Sequence, residues 1–376
     1  MGLDMKIAVY GIGGSAEKFY NILKERNEAI EIVYFVQTEK TESVFHGKRV
    51  ITAIEIEPSD FDKLVIASDN YYEEINEYLK SLDNGYELYK KAVRYDLLFS
   101  GEWENSKKIM PYQSCKIQNG ITYIAASEDE YMLGYMYRTG RNYSENLINA
   151  FFCLTEKYYG QEKPARGGIF LDIGANLGTT SIYVKKNIDR ELHVIGFEPS
   201  ISNYDLFRVN CILNHVEDIK AEWLGLSSNN GKRKFLYSIQ QSGMSRIVDD
   251  SMFGDNIDTI EVKKLDDYLA ENKISPYSIN YIWIDAEGHE DEIIKGAMGT
   301  LQAKKIPLLQ ECNPGDYLEK NTLNDYCKNL VSIYDYFIDL KTFSAEEEKP
   351  IPISQIYDYV FKIMDMKNEH TDLFFF

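Results

Sequence analysis

Apolar residues along this chain gather in short runs, and most runs stop at a glycine or a carboxylate. Lys6–Tyr10 is one; it stops at Gly11-Ile12-Gly13-Gly14, after which Phe19, Ile22 and Leu23 recur at helical spacing. Ile30–Val36 and Leu64–Ala67 repeat the strand pattern, and Tyr72–Leu82 repeats the helical one. Strands that are apolar on both faces, alternating with helices, predict a small parallel α/β unit closing near residue 95. From Gly167 the alternation restarts. Ile169–Leu171 ends at Asp172, Val194–Phe197 at Glu198, Tyr281–Ile284 at Asp285, and Ile306–Gln310 at Glu311. Helical patterns at Tyr204–Leu213, Leu265–Glu271 and Asp291–Leu301 separate them. Ala221–Leu226 reads as a strand, and Asn229-Asn230-Gly231 opens a hairpin to Phe235–Tyr237. Strands near Ser332–Phe337 and at Leu373–Phe376 complete a seven-stranded doubly wound sheet.

Residues 96–165 follow neither pattern. Ser100–Tyr112 is polar and turn-rich, Ile117–Ala125 reads as a hairpin about Asn119-Gly120, and Glu128–Tyr159 is helical with a break near Gly140. The expected organisation is a Rossmann-like domain at 1–95, a connecting extension at 96–165 and a larger α/β domain at 166–376.

Charge and composition narrow the functions. With 60 acidic and 41 basic side chains the net charge is −19, which repels nucleic acid and anionic membranes. No stretch reaches the ~18 uninterrupted apolar residues of a membrane span, and no leader pattern opens the chain. Five scattered cysteines without a CxxC pair read as reduced thiols, so a cytoplasmic location is expected. Tyrosine is unusually frequent, at 29 residues, either as packing or as a stacking surface for sugars.

The candidate chemistry lies at the strand ends, where open α/β sheets bind ligands. Asp172-Ile173-Gly174-Ala175-Asn176-Leu177-Gly178-Thr179 is a strand, glycine turn and helix start. Such a turn brings backbone close to a ligand and aims free N–H groups at an anionic group. An acid just before the first glycine would repel a pyrophosphate but suit an ammonium. The methionine part of S-adenosylmethionine carries both an ammonium and a carboxylate, so it fits better than a dinucleotide. Glu198, at the next strand end and followed by Pro199 and Ser200, can accept both ribose hydroxyls.

Phe170–Gly178 resembles the first motif of the FkbM family of S-adenosylmethionine-dependent methyltransferases. Phe197–Ser200 with Asn203 and Asn210, Val262–Leu269, and Pro307–Glu311 are similar to further family segments. Asp285-Ala286-Glu287-Gly288-His289-Glu290 resembles its D-x-E-G-x-E signature. Lys263-Lys264 and His289 depart from the usual pattern. The resemblance implies a class I methyltransferase-like, Rossmann-like fold. It also implies O-methylation, often of sugar hydroxyls in glycans or of natural-product hydroxyls. A cofactor site at Asp172, Gly174, Ala175, Asn176, Gly178, Thr179, Glu198, Pro199, Ser200 and Leu226 follows.

Proton removal from an acceptor hydroxyl needs a base, for which Asp285, Glu287 and His289 are the candidates. Glu290 and Asp291 read as helix-capping acids. Ser245 and Arg246, in a loop resembling one that approaches the family's cleft, are candidates for the acceptor, as is Glu311. Asp285, Glu311 and Asn313 also offer oxygen ligands to Mg²⁺ or Ca²⁺, a less favoured alternative.

Gly11-x-Gly13-x-x-Ala16 matches a dinucleotide fingerprint without its later acidic residue. The first domain therefore reads as a nucleotide site or as a docking or dimerisation module. The favoured reading is methylation of a sugar hydroxyl in a bacterial surface glycan or its precursor. A small natural product as acceptor, and a non-catalytic cofactor-binding scaffold, are the alternatives.

Overall fold

The computed structural model describes residues 5–26, 30–39, 41–99, 111–160, 167–238, 242–249, 251–252, 254, 256–340, 349–365 and 370–376. Most of the turn-rich stretch Ser100–Tyr112 falls outside them. The chain packs as two compact units. The first holds residues 1–111, 115–120 and 134–141; the second holds 112–114, 121–133 and 142–376.

In the first unit, β1 (Met5–Tyr10), β2 (Ile30–Gln37), β3 (Val44–Phe45), β4 (Lys48–Thr52), β5 (Lys63–Ile66) and β6 (Ala92–Arg94) form one sheet in the order β3-β4-β2-β1-β5-β6. All neighbours are parallel except the β3–β4 hairpin. The central β1 is buried on both faces, with Phe19, Phe35 and Val65 on one side and Tyr34, Phe61 and Leu79 on the other. The edge strands β3 and β6 are only two and three residues long, which blunts the sheet edges and hides them from an apolar-run search.

Between the two α/β patterns lie β7 (Tyr112–Lys116) and β8 (Thr122–Ala126), the expected hairpin about Gly120. The helical stretch breaks at Gly140, as expected, where the backbone turns left-handed.

The second unit is built on β9 (Ile169–Ile173), β10 (His193–Phe197) and β11 (Lys220–Glu222), and, after an excursion, β16 (Ile279–Ile284), β17 (Leu308–Cys312), β18 (Tyr336–Asp339), β19 (Ile351–Pro352) and β20 (Thr371–Phe375). The order is β11-β10-β9-β16-β17-β20-β18-β19. Five strands from β11 to β17 are parallel, and β20 runs against both its neighbours. Counted along the chain, the seven principal strands stand as 3-2-1-4-5-7-6, the class I methyltransferase arrangement; β19 adds a two-residue edge. The chain reverses direction of travel between β9 and β16, and the crevice beyond their carboxyl ends is the ligand position of such sheets.

The excursion is a second sheet, β12 (Gly225–Leu226), β13 (Gly231–Leu236), β14 (Arg246–Val248) and β15 (Ile257–Lys263), in the order β12-β15-β13-β14. The expected strand Ala221–Leu226 is thus two pieces in two sheets, divided at Trp223-Leu224.

Helix Glu145–Tyr159 buries Ile148, Phe151 and Leu154, spaced as one helical face. The Phe151 ring meets Trp283 at 5.9 Å and Phe374 at 5.7 Å, both edge-on. Helix Ile201–Leu213 serves β8 in place of a neighbouring strand. Asn210 Oδ1 accepts from Ile124 N–H at 2.7 Å and its amide donates to Ile124 O at 3.2 Å. Asn214 repeats this on Thr122, at 2.9 and 2.7 Å. Both asparagines are buried, so their loss leaves β8 donors and acceptors unpaired. Asn210→Ala and Asn214→Ala should each lower unfolding free energy by about 2 kcal/mol in urea titrations, a buried pair of groups losing its partner. A loss near zero would remove the strand-substitute role.

Candidate functional site

Three strand ends are drawn together by backbone bonds. Gly174 N–H and Ala175 N–H donate to Phe197 O at 3.0 and 2.9 Å, and Asp285 N–H donates to Ile173 O at 2.9 Å. Gly174 has φ +87°, and a Cβ there would stand 1.8 Å from Asp285 O. Only glycine fits that turn. Beyond it opens a cleft of about 580 Å³, within the range of small-ligand pockets.

One side of the cleft gathers most of the residues that the sequence reading assigned to a cofactor. Gly174, Ala175, Asn176, Thr179, Glu198, Pro199 and Leu226 all line it. Glu198 is buried, its oxygens accepting from Asn176 N–H and Ser200 N–H, each at 2.8 Å. Burial raises its pKa to about 7 against the pull of those donors. Asn176 Oδ1 is buried at the cleft without a hydrogen-bond partner, so it can accept from a ligand.

Asp172, Gly178 and Ser200 stand behind this wall rather than in it. Asp172 is buried and accepts from Ser181 Oγ at 2.5 Å. It braces the helix Thr179–Tyr183 that the turn leads into, and an ammonium in the cleft would feel it only through space. Burial raises it to about 6.

The other side is acidic. Asp285, Glu287 and Glu311 each present a carboxylate oxygen, all within 4.8 Å of one another. Burial raises the pKa of all three; Asp285 repels Glu287 and Glu311 and raises them further, while Asp285 itself is raised further by Asp372 and Asp172. Glu311 Oε2 is buried without a hydrogen-bond partner. Arg246 faces Glu287 and partly offsets the charge. Asn313 and His370 line the same region, with His370 Nε2 at 3.8 Å from Glu311.

Glu287 is held in position by its own signature. Its φ is +50° and that of Gly288 is +86°. A Cβ on Gly288 would lie 2.1 Å from Asp316 Oδ2. Glu290, fully buried, gathers the loop: its carboxylate accepts from Ala286 N–H at 2.9 Å, Gly288 N–H at 3.1 Å and the Tyr317 hydroxyl at 3.1 Å. Lys320 Nζ donates to Gly288 O. Glu290 thus clamps the loop ahead of it, beyond the capping role read from the sequence.

His289 lines the cleft but differs from a ready base. It is buried, its Nε2 lies 3.0 Å from Ser227 Oγ, and burial lowers its pKa to about 3. A neutral imidazole of that basicity is a poor proton acceptor near pH 7. Ser245 also lines the cleft, but its Oγ already accepts from Ser238 N–H at 3.0 Å.

Tyr131, Tyr143, Asn203 and Trp283 complete the walls. Tyr143 lies against Tyr131, ring centroids 5.9 Å apart, close enough to Asp285 for that carboxylate to help raise its pKa. Tyr131 and Tyr143 belong to no motif, whereas Asn203 lies in the segment that follows Glu198. A cue for Tyr131 and Tyr143 was the aromatic content of the helical stretch, but nothing local placed it over the cleft.

In the first unit, Gly13 and Gly14 open the helix Gly14–Arg26, and both face open space. Asp69 accepts there from Ser15 Oγ at 3.1 Å and from the Tyr95 hydroxyl at 2.5 Å, and Arg141 stands 3.6 Å away. A carboxylate beside the turn opposes a pyrophosphate.

The His289 environment gives a signed pH effect. Its folded pKa lies below the unfolded value, so its contribution is present above about 6.5 and is lost as pH falls. From pH 6.5 to 4.5, His289→Gln should lose about 2 kcal/mol less stability than the wild type, measured by urea unfolding. Parallel losses would mean that the imidazole titrates freely.

Residues 172–338 match the methyltransferase FkbM domain, and residues 3–90 match the C2185-like N-terminal domain. The methyltransferase sdnD of Sordaria araneosa is 29% identical over 153 residues, 34% of this chain and 59% of that protein. The chain therefore spans about 59% of the length of the curated relative it matches. Among solved structures, methyltransferase FkbM from Methylobacillus flagellatus shares 15% identity with a TM-score of 0.35, covering 100% of this chain and 91% of that one. An O-methyltransferase from Bacillus cereus in complex with SAH shares 12% identity with a TM-score of 0.30, covering 62% and 80%. Scores this low leave the fold to the strand order itself. The match to the methyltransferase FkbM domain lies within the second unit and spans the glycine turn, the Glu198 end, the D-x-E-G-x-E signature and Glu311.

Proposed function

We propose that the chain is an S-adenosylmethionine-dependent O-methyltransferase acting on a hydroxyl, with a sugar of a surface glycan or its precursor as acceptor. One observation carries this reading: the glycine turn with Glu198 and the Asp285–Glu287–Glu311 cluster face one cleft at the switch point of a class I sheet. The residues suit the cofactor. Glu198 and the partnerless Asn176 Oδ1 are acceptors for its ribose hydroxyls or ammonium, and Gly174 to Thr179 offer a close backbone. When bound, S-adenosylmethionine supplies an electrophilic methyl group on a sulfonium.

The remaining chemistry belongs to the chain. The walls orient an acceptor oxygen, and the acidic cluster removes its proton. Glu287 and Asp285 suit that task, because burial, with neighbouring carboxylates, raises their basicity toward the working pH. His289, neutral and tied to Ser227, positions the loop instead. The sugar preference rests on the mixture of aromatic faces, Tyr131, Tyr143 and Trp283, with carboxylates that accept hydroxyl donors. A phosphate or carboxylate at the reacting end would meet the cluster's charge.

A second reading has specific support. Oxygens of Asp285, Glu287 and Glu311 within 4.8 Å of one another could ligate a hard divalent cation, with Asn313 beside them. Such an ion would lower the pKa of a diol acceptor.

Titration calorimetry should show S-adenosylhomocysteine binding at micromolar level or tighter, weakened at least tenfold by Glu198→Ala, whose hydrogen bonds are to a charged group. No wild-type binding, or an indifferent Glu198→Ala, ends this reading. Mass spectrometry of extracted glycans and nucleotide sugars should show the gain of one methyl. Glu287→Gln should then cut kcat by about 10²–10⁴-fold, and the acid limb of the pH–rate profile should lie above the ordinary carboxylate range. Unchanged turnover removes Glu287 as base. Chelator inhibition reversed by Mg²⁺ selects the metal variant.

A further inference from the structure

Two walls of the cleft come from segments far apart in the chain, Tyr131-Met132 and Gly243–Ile247. They meet at one buried hydrogen bond: Ser242 Oγ donates to Asp129 Oδ2 at 2.5 Å. Asp129 is 1% exposed and Ser242 is 7% exposed. The other carboxylate oxygen of Asp129 accepts from Met132 N–H at 3.0 Å, so the same side chain shapes the Tyr131 turn. That turn, Glu130–Gly134, is a wide, under-wound π-helical turn of a kind that recurs at functional sites.

On the opposite side, Ser242 leads into β14, a three-residue strand at the edge of its sheet. Such an edge gives the preceding loop little backbone anchorage. The loop nevertheless runs beside both other walls, within van der Waals reach of a methyl group. A Cβ built on Gly243 would lie 3.8 Å from Asn176 Nδ2, 3.8 Å from the Tyr131 ring and 3.9 Å from Met132 Sδ. The Asp129–Ser242 bond therefore stands where the glycine-turn wall, the tyrosine wall and the Arg246 wall converge. A charge-assisted bond in so dry a place is strong and directional.

We infer that Asp129 and Ser242 form a latch that sets how long a ligand is retained in the cleft. They are positioning residues: neither is required to touch the ligand, and both act through Tyr131 and through the Gly243–Arg246 loop. This inference rests on the S-adenosylmethionine reading above for its ligand. The latch itself makes a claim about the unliganded protein as well.

The test uses Ser242→Ala, Ser242→Thr and the full-length chain. Stopped-flow release of S-adenosylhomocysteine should be about tenfold faster in Ser242→Ala, equivalent to 1.4 kcal/mol, and restored by Ser242→Thr, which keeps the hydroxyl. Hydrogen exchange without ligand should quicken together at residues 130–133 and 243–246, with the sheet of the second unit unchanged. Equal release rates in wild type and Ser242→Ala overturn the latch. So does exchange that rises at only one of the two segments, or that rises across the whole unit. Failure of the wild type to bind S-adenosylhomocysteine at all would instead strike the cofactor reading, and the exchange experiment would still decide whether the latch exists.

Discussion

The absence of a side chain at residue 174 is the constraint on which the site depends. With Asp285 O where a Cβ would be, the ends of β9, β10 and β16 converge as no other residue type would allow. Convergence does two things at once. It turns the Asn176 and Glu198 groups toward the cleft, and it brings the Asp285 loop alongside them. The glycine-turn side and the acidic side thus share one cleft because a methyl-sized volume was left empty between them.

The acidic half is costly, and the structure shows how the cost is met. Glu287 sits in a left-handed conformation that a side chain disfavours, beside two other carboxylates. Glu290 compensates with three hydrogen bonds, and Arg246 supplies the opposing charge. What results is a set of carboxyl groups with basicity raised toward neutrality.

The tyrosines divide between two roles that composition alone could not separate. Tyr34, Tyr123, Tyr317, Tyr326 and Tyr334 are fully buried, and several spend their hydroxyls on internal bonds, as Tyr317 does on Glu290 and Tyr123 on Asn142. Tyr131 and Tyr143 instead face the cleft. Packing accounts for the first group, and the second forms part of the cleft wall.

The parallel strands were legible in the sequence because they are buried on both faces, so each is a continuous apolar run ending where the chain must become polar. Asp172, Glu198, Asp285 and Glu311 were found by that rule alone. The short edges of the first sheet were not, since strands of two and three residues carry no such run. Nor could local pattern tell that Asp172 turns inward to Ser181, that burial makes His289 a poor base, or that Trp223 divides a strand between two sheets. Those outcomes depend on what surrounds a residue, and for Tyr131, Asp129 and Ser242 the surroundings come from distant segments of the chain. Backbone pattern is a local property and was readable along the chain; pKa, burial and the walls of the cleft are set by neighbours that only the folded unit brings together.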